Sequence, residues 1–483
     1  MHVNRRTAIK GAVGGALAAG PFAGFTNAAA LGRPGALAGT AVGSLVPVAD
    51  ERDGAVRLHL PSGFSYRSFH ESSASDPAIL PDGTRLPARH DGMGAFAGPD
   101  GSVLLVRNHE VNNPQPAFGP TKPYDKRGGA GTTTIQVTRY GEVQDAYTSL
   151  SGTMMNCSGG QMPWGAWVTC EETVNGPDVG PDFTGASNVP LQKRHGYVFE
   201  VPAGGLSDAR PLRKAGRFAH EAVSYDPAED VLYLTEDNFA FPSGFYRYVA
   251  RKRRDPHRHL DRNGQLQMLA VKGTPQAHLE AHQDTTTVYD VVWVDIDEPD
   301  FEFPYTPGET APTSNDTAIN FVGDQGRAKG AAHFSRCEGQ VFHDGVVYFT
   351  ATQGGGPAMT GPDNRNGYGR GWGQVWAYDT RSATLRCVYQ SESREVLDFP
   401  DNVTTSPRGT LVLCEDHDEG NYLRGLTTDG DLFSIARNVI GGAGNDEFAG
   451  STFSPDGHTL FVNIQASRGL TFAIWGDWES IGV

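Results

Sequence analysis

The chain repeats a loose unit six times: a polar entry that often ends in Glu or Asp, a short apolar strand, a Gly turn and another strand. The first such stretch runs from residues 101–106 (GSVLLV) into Arg107, Asn108, His109 and Glu110. The second runs from residues 165–170 (GAWVTC) into Glu171 and Glu172. His220 and Glu221 open the third, Glu338 the fourth, Asp401 and Asn402 the fifth, and Glu447 the sixth. The strands that follow are rich in Val, Leu, Tyr, Phe and Thr and are closed by Asp-Gly or Pro-Gly punctuation, whereas long helical patterns are hard to find. Successive units lie roughly 50 to 115 residues apart, so the repeat is degenerate and carries long insertions. Four-stranded units of this kind read as blades, and the expected fold is all-β: a six-bladed β-propeller. Its closure is expected to involve the strand at residues 56–60. A β-sandwich with a second domain is the competing architecture.

Residues 31–55 are expected to be a flexible stretch and residues 56–483 a single propeller domain. The segment 251–330, rich in Arg, His and Asp and then in Pro and Asn, is expected to be an insertion covering one face.

Residues 1–30 stand apart. Asn4-Arg5-Arg6-Thr7-Ala8-Ile9-Lys10 forms a basic head, a Gly/Ala-rich apolar stretch follows to about Phe25, and Ala28, Ala29 and Ala30 offer a small-residue exit. That order is a secretory signal, and the paired arginines favour the twin-arginine route, with its translocase as a transient partner. The apolar stretch is too short to span a membrane, and no later segment is long enough. The mature chain is expected to be a soluble monomer in the periplasm, cell-wall space or medium.

The signal carries three basic residues and no acid, so its removal takes the net charge from −16 to −19. So acidic a surface argues against nucleic acid or an anionic membrane as partner. It suits carboxylate clusters that bind cations. Five cysteines (Cys157, Cys170, Cys337, Cys387 and Cys414) are too few and too scattered for a disulfide framework.

The acids at strand starts and ends carry the functional reading. If the blades point inward, these carboxylates converge at one channel mouth, where they repel unless cations neutralise them. Hard cations such as Ca²⁺ suit the oxygens, and a thiolate or imidazole invites a transition metal. Glu171 and Glu172 are neighbours at a strand end and point to opposite faces, so only one faces the channel. The same alternation separates His220 from Glu221. Gly354-Gly-Gly356 and Gly441-Gly-Ala-Gly444 lack the strand–turn–helix setting of a dinucleotide site, and no Gly-x-Ser-x-Gly elbow marks a serine hydrolase.

Residues 156–172 (NCSGGQMPWGAWVTCEE) resemble a segment of the PhoX family of bacterial alkaline phosphatases. Residues 216–221 (GRFAHE), 335–338 (SRCE), 399–402 (FPDN) and 453–465 (FSPDGHTLFVNIQ) resemble further motifs of that family, in order. The resemblance implies a propeller holding iron (Fe³⁺) and calcium that hydrolyses phosphomonoesters. It implies Cys157 as an iron ligand and Glu172, Glu221 and Glu338 as carboxylate ligands, with Asp401 and Glu447 as further candidates for calcium; Glu110 is a further ligand candidate from its own place at a strand end. Arg336 is the residue expected to reach the phosphate. Three departures stand out: Cys337 where the family has Pro, Gly339 where it has Trp, and Ala466-Ser467-Arg468-Gly469 where it has His-Pro-Gly. The alternatives are a calcium-dependent propeller hydrolase, such as a lactonase or phosphotriesterase, and a non-catalytic metal-binding propeller.

Overall fold

The computed structural model describes residues 44–250, 260, 263–417, 420–440 and 446–483. The signal segment 1–30 and residues 31–43 lie outside the described residues. The chain opens with β1 (Val46–Ala49), β2 (Val56–Leu60) and β3 (Ser65–Ser73). A first meander follows: β4 (His90–Ala97), β5 (Val103–His109), β6 (Ala130–Val137) and β7 (Val143–Thr153). Next come β8 (Asn156–Met162), β9 (Ala166–Glu171) and β10 (Val198–Pro202). A third group holds β11 (His220–Asp226), β12 (Val231–Glu236), β13 (Phe245–Val249), β14 (Gln265–Val271) and β15 (Tyr289–Asp295). The helix α1 (Asn315–Ala328), capped by the Ser314 side chain, leads to β16 (Cys337–His343), β17 (Val346–Ala351), β18 (Gln374–Asp379) and β19 (Thr384–Gln390). The last strands are β20 (Pro400–Thr405), β21 (Leu411–Glu415), β22 (Tyr422–Leu426), β23 (Leu432–Asn438), β24 (Glu447–Phe453), β25 (Thr459–Gln465) and β26 (Arg468–Trp475).

Every strand pairing is antiparallel between neighbours, as short turns demand. The third and fourth groups join into one nine-stranded sheet, but only through two residue pairs between β15 and β19. The first strands of the groups touch in order, β4 to β8, β11, β16, β20 and β24, and β24 returns to β4. A closed ring of first strands with sheets radiating outward is a propeller.

The core lies between sheets rather than within them. One cluster combines Cys157, Val168 and Val198 with Val223, Leu234 and Tyr246; another combines Met93, Leu105 and Ile135 with Phe461 and Ala473. Each sheet therefore depends on its neighbours to bury its faces.

The structure differs from the sequence reading in three places. Residues 46–49, expected to be flexible, form β1, which pairs with β2. Residues 56–60 do not close the ring: β2 only extends the edge of β23, through Leu58↔Asn438 and His59↔Arg437. Closure belongs to β3, which runs along β26 from Ser65↔Trp475 to Ser73↔Arg468 and completes the last sheet. The sequence of β3, SYRSFHESS, reads as polar, yet Tyr66, Ser68, Phe69 and Ser72 turn inward. Finally, the segment 251–330 is not wholly an insertion. It supplies β14 and β15, which continue the third sheet, before α1.

Candidate metal centre

A β-bulge at the start of five of the six ring strands builds the site. Regular pairing holds at His90↔His109, Asn156↔Glu171, His220↔Glu236, Cys337↔Ala351 and Pro400↔Glu415, and each strand then carries one extra residue before pairing resumes. A bulge re-aims a side chain that would otherwise follow the pleat. The residue placed there is Asp91, Cys157, Glu221, Glu338 or Asp401 in turn. Two residues before four of them the backbone takes a left-handed turn, at Arg89 (φ 50°), Met155 (45°), Arg336 (39°) and Phe399 (48°). Non-glycine residues rarely adopt that conformation, and strain of this kind gathers at functional sites. In the sixth strand the bulge comes later, and its position is held by Gly450 (φ 61°).

A second tier comes from residues that follow the second strand of a sheet: Glu110 after β5, Glu172 after β9, Asp237 after β12 and Asp416 after β21. Strand alternation separates each from the residue before it. Glu171 turns away and is saturated: it accepts from the backbone N–H groups of Met154, Gly196 and Tyr197 and from His195 Nδ1 at 2.6 Å. Glu172 faces the ring. The His220 ring likewise turns away: its Nε2 donates to the Gly216 carbonyl, 3.0 Å away, and it packs on Phe218, whereas Glu221 joins the cluster.

Two sets of donor atoms lie close enough to share an ion. One is Cys157, Glu172 and Glu221; the other is Glu221, Glu338 and Asp401; in each, the atoms lie within 4.8 Å of one another. Glu221 belongs to both. Asp416, Asp91 and Glu110 surround them electrostatically, each among the charges that act on a neighbouring acid, and Glu447 feels Asp416, Asp401 and Asp91 in turn. Burial first, and then these like charges, push Asp91, Glu172, Glu221, Glu338 and Glu447 well above the usual carboxylate range, and Asp401 to about 7. Burial first and then Glu221 raise the Cys157 thiol in the same way. Among the described residues, nine carboxyl groups and one thiol thus share this end of the ring with two guanidinium groups, Arg89 and Arg336. Such an excess of hard oxygen donors, with one soft sulfur, fits several hard cations and one thiophilic metal.

Both arginines are already engaged. Arg336 contacts Asp237 at 2.8 Å and Glu338 at 2.9 Å, and lies over the Phe239 ring. Arg89 is paired with Glu110 and donates to Gln465 Oε1 at 2.7 Å. Arg89 and Arg336 precede the bulge residue by the same two positions, immediately before strands β4 and β16, which stand opposite in the ring.

The ring strands are packed too tightly for most side chains. A Cβ on Gly92 would come within 2.5 Å of Ser158 Cα, and one on Gly339 within 2.6 Å of Asn402 Cα. That is the physical reason for glycine at 339: no tryptophan fits where the neighbouring strand passes. Asn108 fixes the Cys157 bulge by donating to the carbonyls of Cys157 and Ser158 at 2.8 and 2.7 Å. Below the bulges the axis opens into a cavity of about 380 Å³, with Ser158, Asn402 and Gly450 at its head.

All seven acidic or thiol residues expected from the sequence therefore lie at one end of the ring, with Arg336 among them. Asp91, Asp237, Asp416 and Arg89 were not among the residues expected from the sequence; Asp418 and Glu419 lie outside the described residues. The signal for Asp91 was present: it enters β4 as Glu221 enters β11. Asp237 follows β12 as Glu172 follows β9.

His195 supports this end of the fold. It lies buried between Glu171 and Asp125, whose Oδ2 is 3.6 Å from Nε2, an ion contact rather than a hydrogen bond. Burial alone would lower its pKa, but Glu171 and Asp125 outweigh that and raise it to about 9. A folded-state pKa above the unfolded value means stability present in full below about 6.5 and lost as pH rises through about 9. His195→Gln is expected to melt below the unaltered protein at pH 6, with the gap closing by pH 10. A gap independent of pH would show that the histidine is uncharged.

Residues 43–467 match the family model described as alkaline phosphatase PhoX. Among solved structures, Pseudomonas fluorescens PhoX in complex with vanadate, a transition state analogue, is similar with a TM-score of 0.61 and 18% identity, covering 91% of this chain and 98% of that one. A gluconolactonase from Xanthomonas campestris matches at TM-score 0.40 and 12% identity over 90% of this chain and 98% of that one. A virginiamycin B lyase from Staphylococcus aureus matches at 0.38 and 10%, over 85% and 99%. No curated protein matches the sequence.

Proposed function

The chain belongs to the PhoX family of alkaline phosphatases, and from that membership we propose that it is an exported, six-bladed phosphomonoesterase whose ring of bulge residues holds iron and calcium. The observation that carries this reading is the convergence of Cys157, Glu172, Glu221, Glu338 and Asp401 in two donor sets joined at Glu221. Iron is assigned to the set containing the Cys157 thiolate, and calcium to the all-oxygen set and the outer acids Asp91, Glu110, Asp416 and Glu447. When bound, these cations supply the positive charge that an acidic protein needs to hold a phosphate ester and to stabilise its displacement.

The chain's own residues do the rest. The bulges fix Asp91, Cys157, Glu221, Glu338 and Asp401 on strands rather than loops, so their geometry is set before substrate arrives. Arg336 is the phosphate-contacting residue in this reading. Its guanidinium sits at the ring with Asp237 beneath it, which orients the planar fork that phosphate oxygens recognise. Export rests on Arg5, Arg6 and the apolar segment that follows them; among the described residues no helix is long and apolar enough to cross a membrane.

The test is elemental analysis of the purified mature protein beside Cys157→Ala, together with phosphatase assay on p-nitrophenyl phosphate. The expected result is iron and calcium in the unaltered protein, and loss of iron with retention of calcium in the variant. Protein folded under iron-replete conditions that holds calcium and no iron would sink the iron assignment. It would then favour the reading of a calcium-dependent hydrolase.

A further inference from the structure

Between the first sheet and the last lies a polar layer that the metal centre does not use. Arg107 on β5 is wholly buried there, with His90, His109, Thr133 and Thr471 also wholly buried and His70 beside them. Its Nη1 donates to Thr471 Oγ1 at 2.7 Å. Its Nη2 has only long contacts, 3.4 Å to Thr133 Oγ1 and 3.5 Å to His70 Nδ1. Among the described residues, Arg107 Nε and His90 Nε2 have no hydrogen-bond partner.

The charge balance is as unusual as the hydrogen bonding. Among the described residues, no carboxylate pairs with Arg107, and burial alone acts on its pKa, lowering it to about 9. Arginine stays protonated in proteins, and a buried charge is normally paired. Threonine and imidazole contribute no negative charge in any state present near neutral pH. The acids of the metal centre do not fill the role, since the charges that act on nearby Asp91 are Glu110, Asp401 and Arg89 rather than Arg107. Arg107 Nε–H stays an unpaired donor in a sealed layer that holds one fixed positive charge.

We propose that this layer binds a small monovalent anion of the halide class, held by the Arg107 guanidinium through its unpaired Nε–H and weakly engaged Nη2, between the last sheet, with β3 and β26, and the first, with β4–β6. The layer bridges the seam where the ring closes, so the anion fastens the last sheet to the first. The site is separate from the phosphate site and does not depend on the assignment of iron and calcium.

The test uses the full mature protein, purified, assayed and crystallised in bromide. An anomalous difference peak beside Arg107 is expected, and a map without one overturns the proposal. In solution, at constant ionic strength and calcium, the melting temperature is expected to rise by roughly 1.5 °C per tenfold increase in chloride, and not with gluconate. Identical melting in the two salts across that range counts equally against it. Arg107→Met, which removes the charge and keeps the bulk, is expected to melt at the same temperature in both salts. A variant that still responds to chloride would place the anion elsewhere.

Discussion

Glu221→Gln is expected to lower phosphomonoesterase turnover by about 1,000-fold, equivalent to about 4 kcal/mol in the barrier. It is also expected to deplete metal from both halves of the ring. Glu221 is the shared member of the two donor sets, so in the proposed centre its charge would act on two ions at once. Glutamine keeps the volume and one oxygen, and removes one of the crowded negative charges, so the fold itself is not put at risk. Turnover and elemental content, measured on the same preparation, check the prediction. A variant with full metal content and normal turnover would remove Glu221 from the centre. Loss of turnover with full metal content would instead assign it a role on the substrate.

Stripping the cations with a chelator is expected to produce the largest change in stability, and to make that stability depend on pH. The sign follows from the raised carboxyl groups. Without cations, the folded protein holds protons on Glu221, Glu338 and Asp401 at pH values where the unfolded chain has released them. Folded pKa values above the unfolded ones, about 4, mean that stability falls as pH rises from about 4 through 7 and beyond. Cations replace those protons, and the loaded protein lacks the slope. Each ion present at 1,000 times its dissociation constant adds about 4 kcal/mol, or roughly 4–5 °C for a chain of this length. Two or more sites therefore separate loaded and stripped protein by about 10 °C at pH 8, with the gap shrinking toward pH 5. Calorimetric melting across that range checks it. A gap that does not shrink on acidification would mean that the acids are not what the cations neutralise.

The contrast between Glu171 and Glu172 shows how far local rules reach. Two adjacent acids at a strand end must face opposite sides, and the structure places one among backbone N–H donors and the other at the ring. The same rule sorts His220 from Glu221 without any knowledge of the fold. Local rules failed where a contact is remote in sequence. Asp237 looks like a turn residue until Arg336, 99 residues away, is found against it. β3 reads as a polar segment until β26 arrives to pair with it.

The sequence by itself determined that this chain is built of repeated small sheets, because alternating apolar residues between Gly turns can bury their faces only by stacking. It also marked the candidate donors, since acids and one cysteine at strand entries are recognisable from residue type and position. What only the tertiary structure decided is the joining of the pieces: which strand closes the ring, and how bulges turn five entries toward one axis. A bulge is one extra residue opposite a partner strand, and the partner is not written beside it in the chain. Nor does the sequence show that Arg107 lies sealed without a counter-charge, because burial is a property of the assembled sheets.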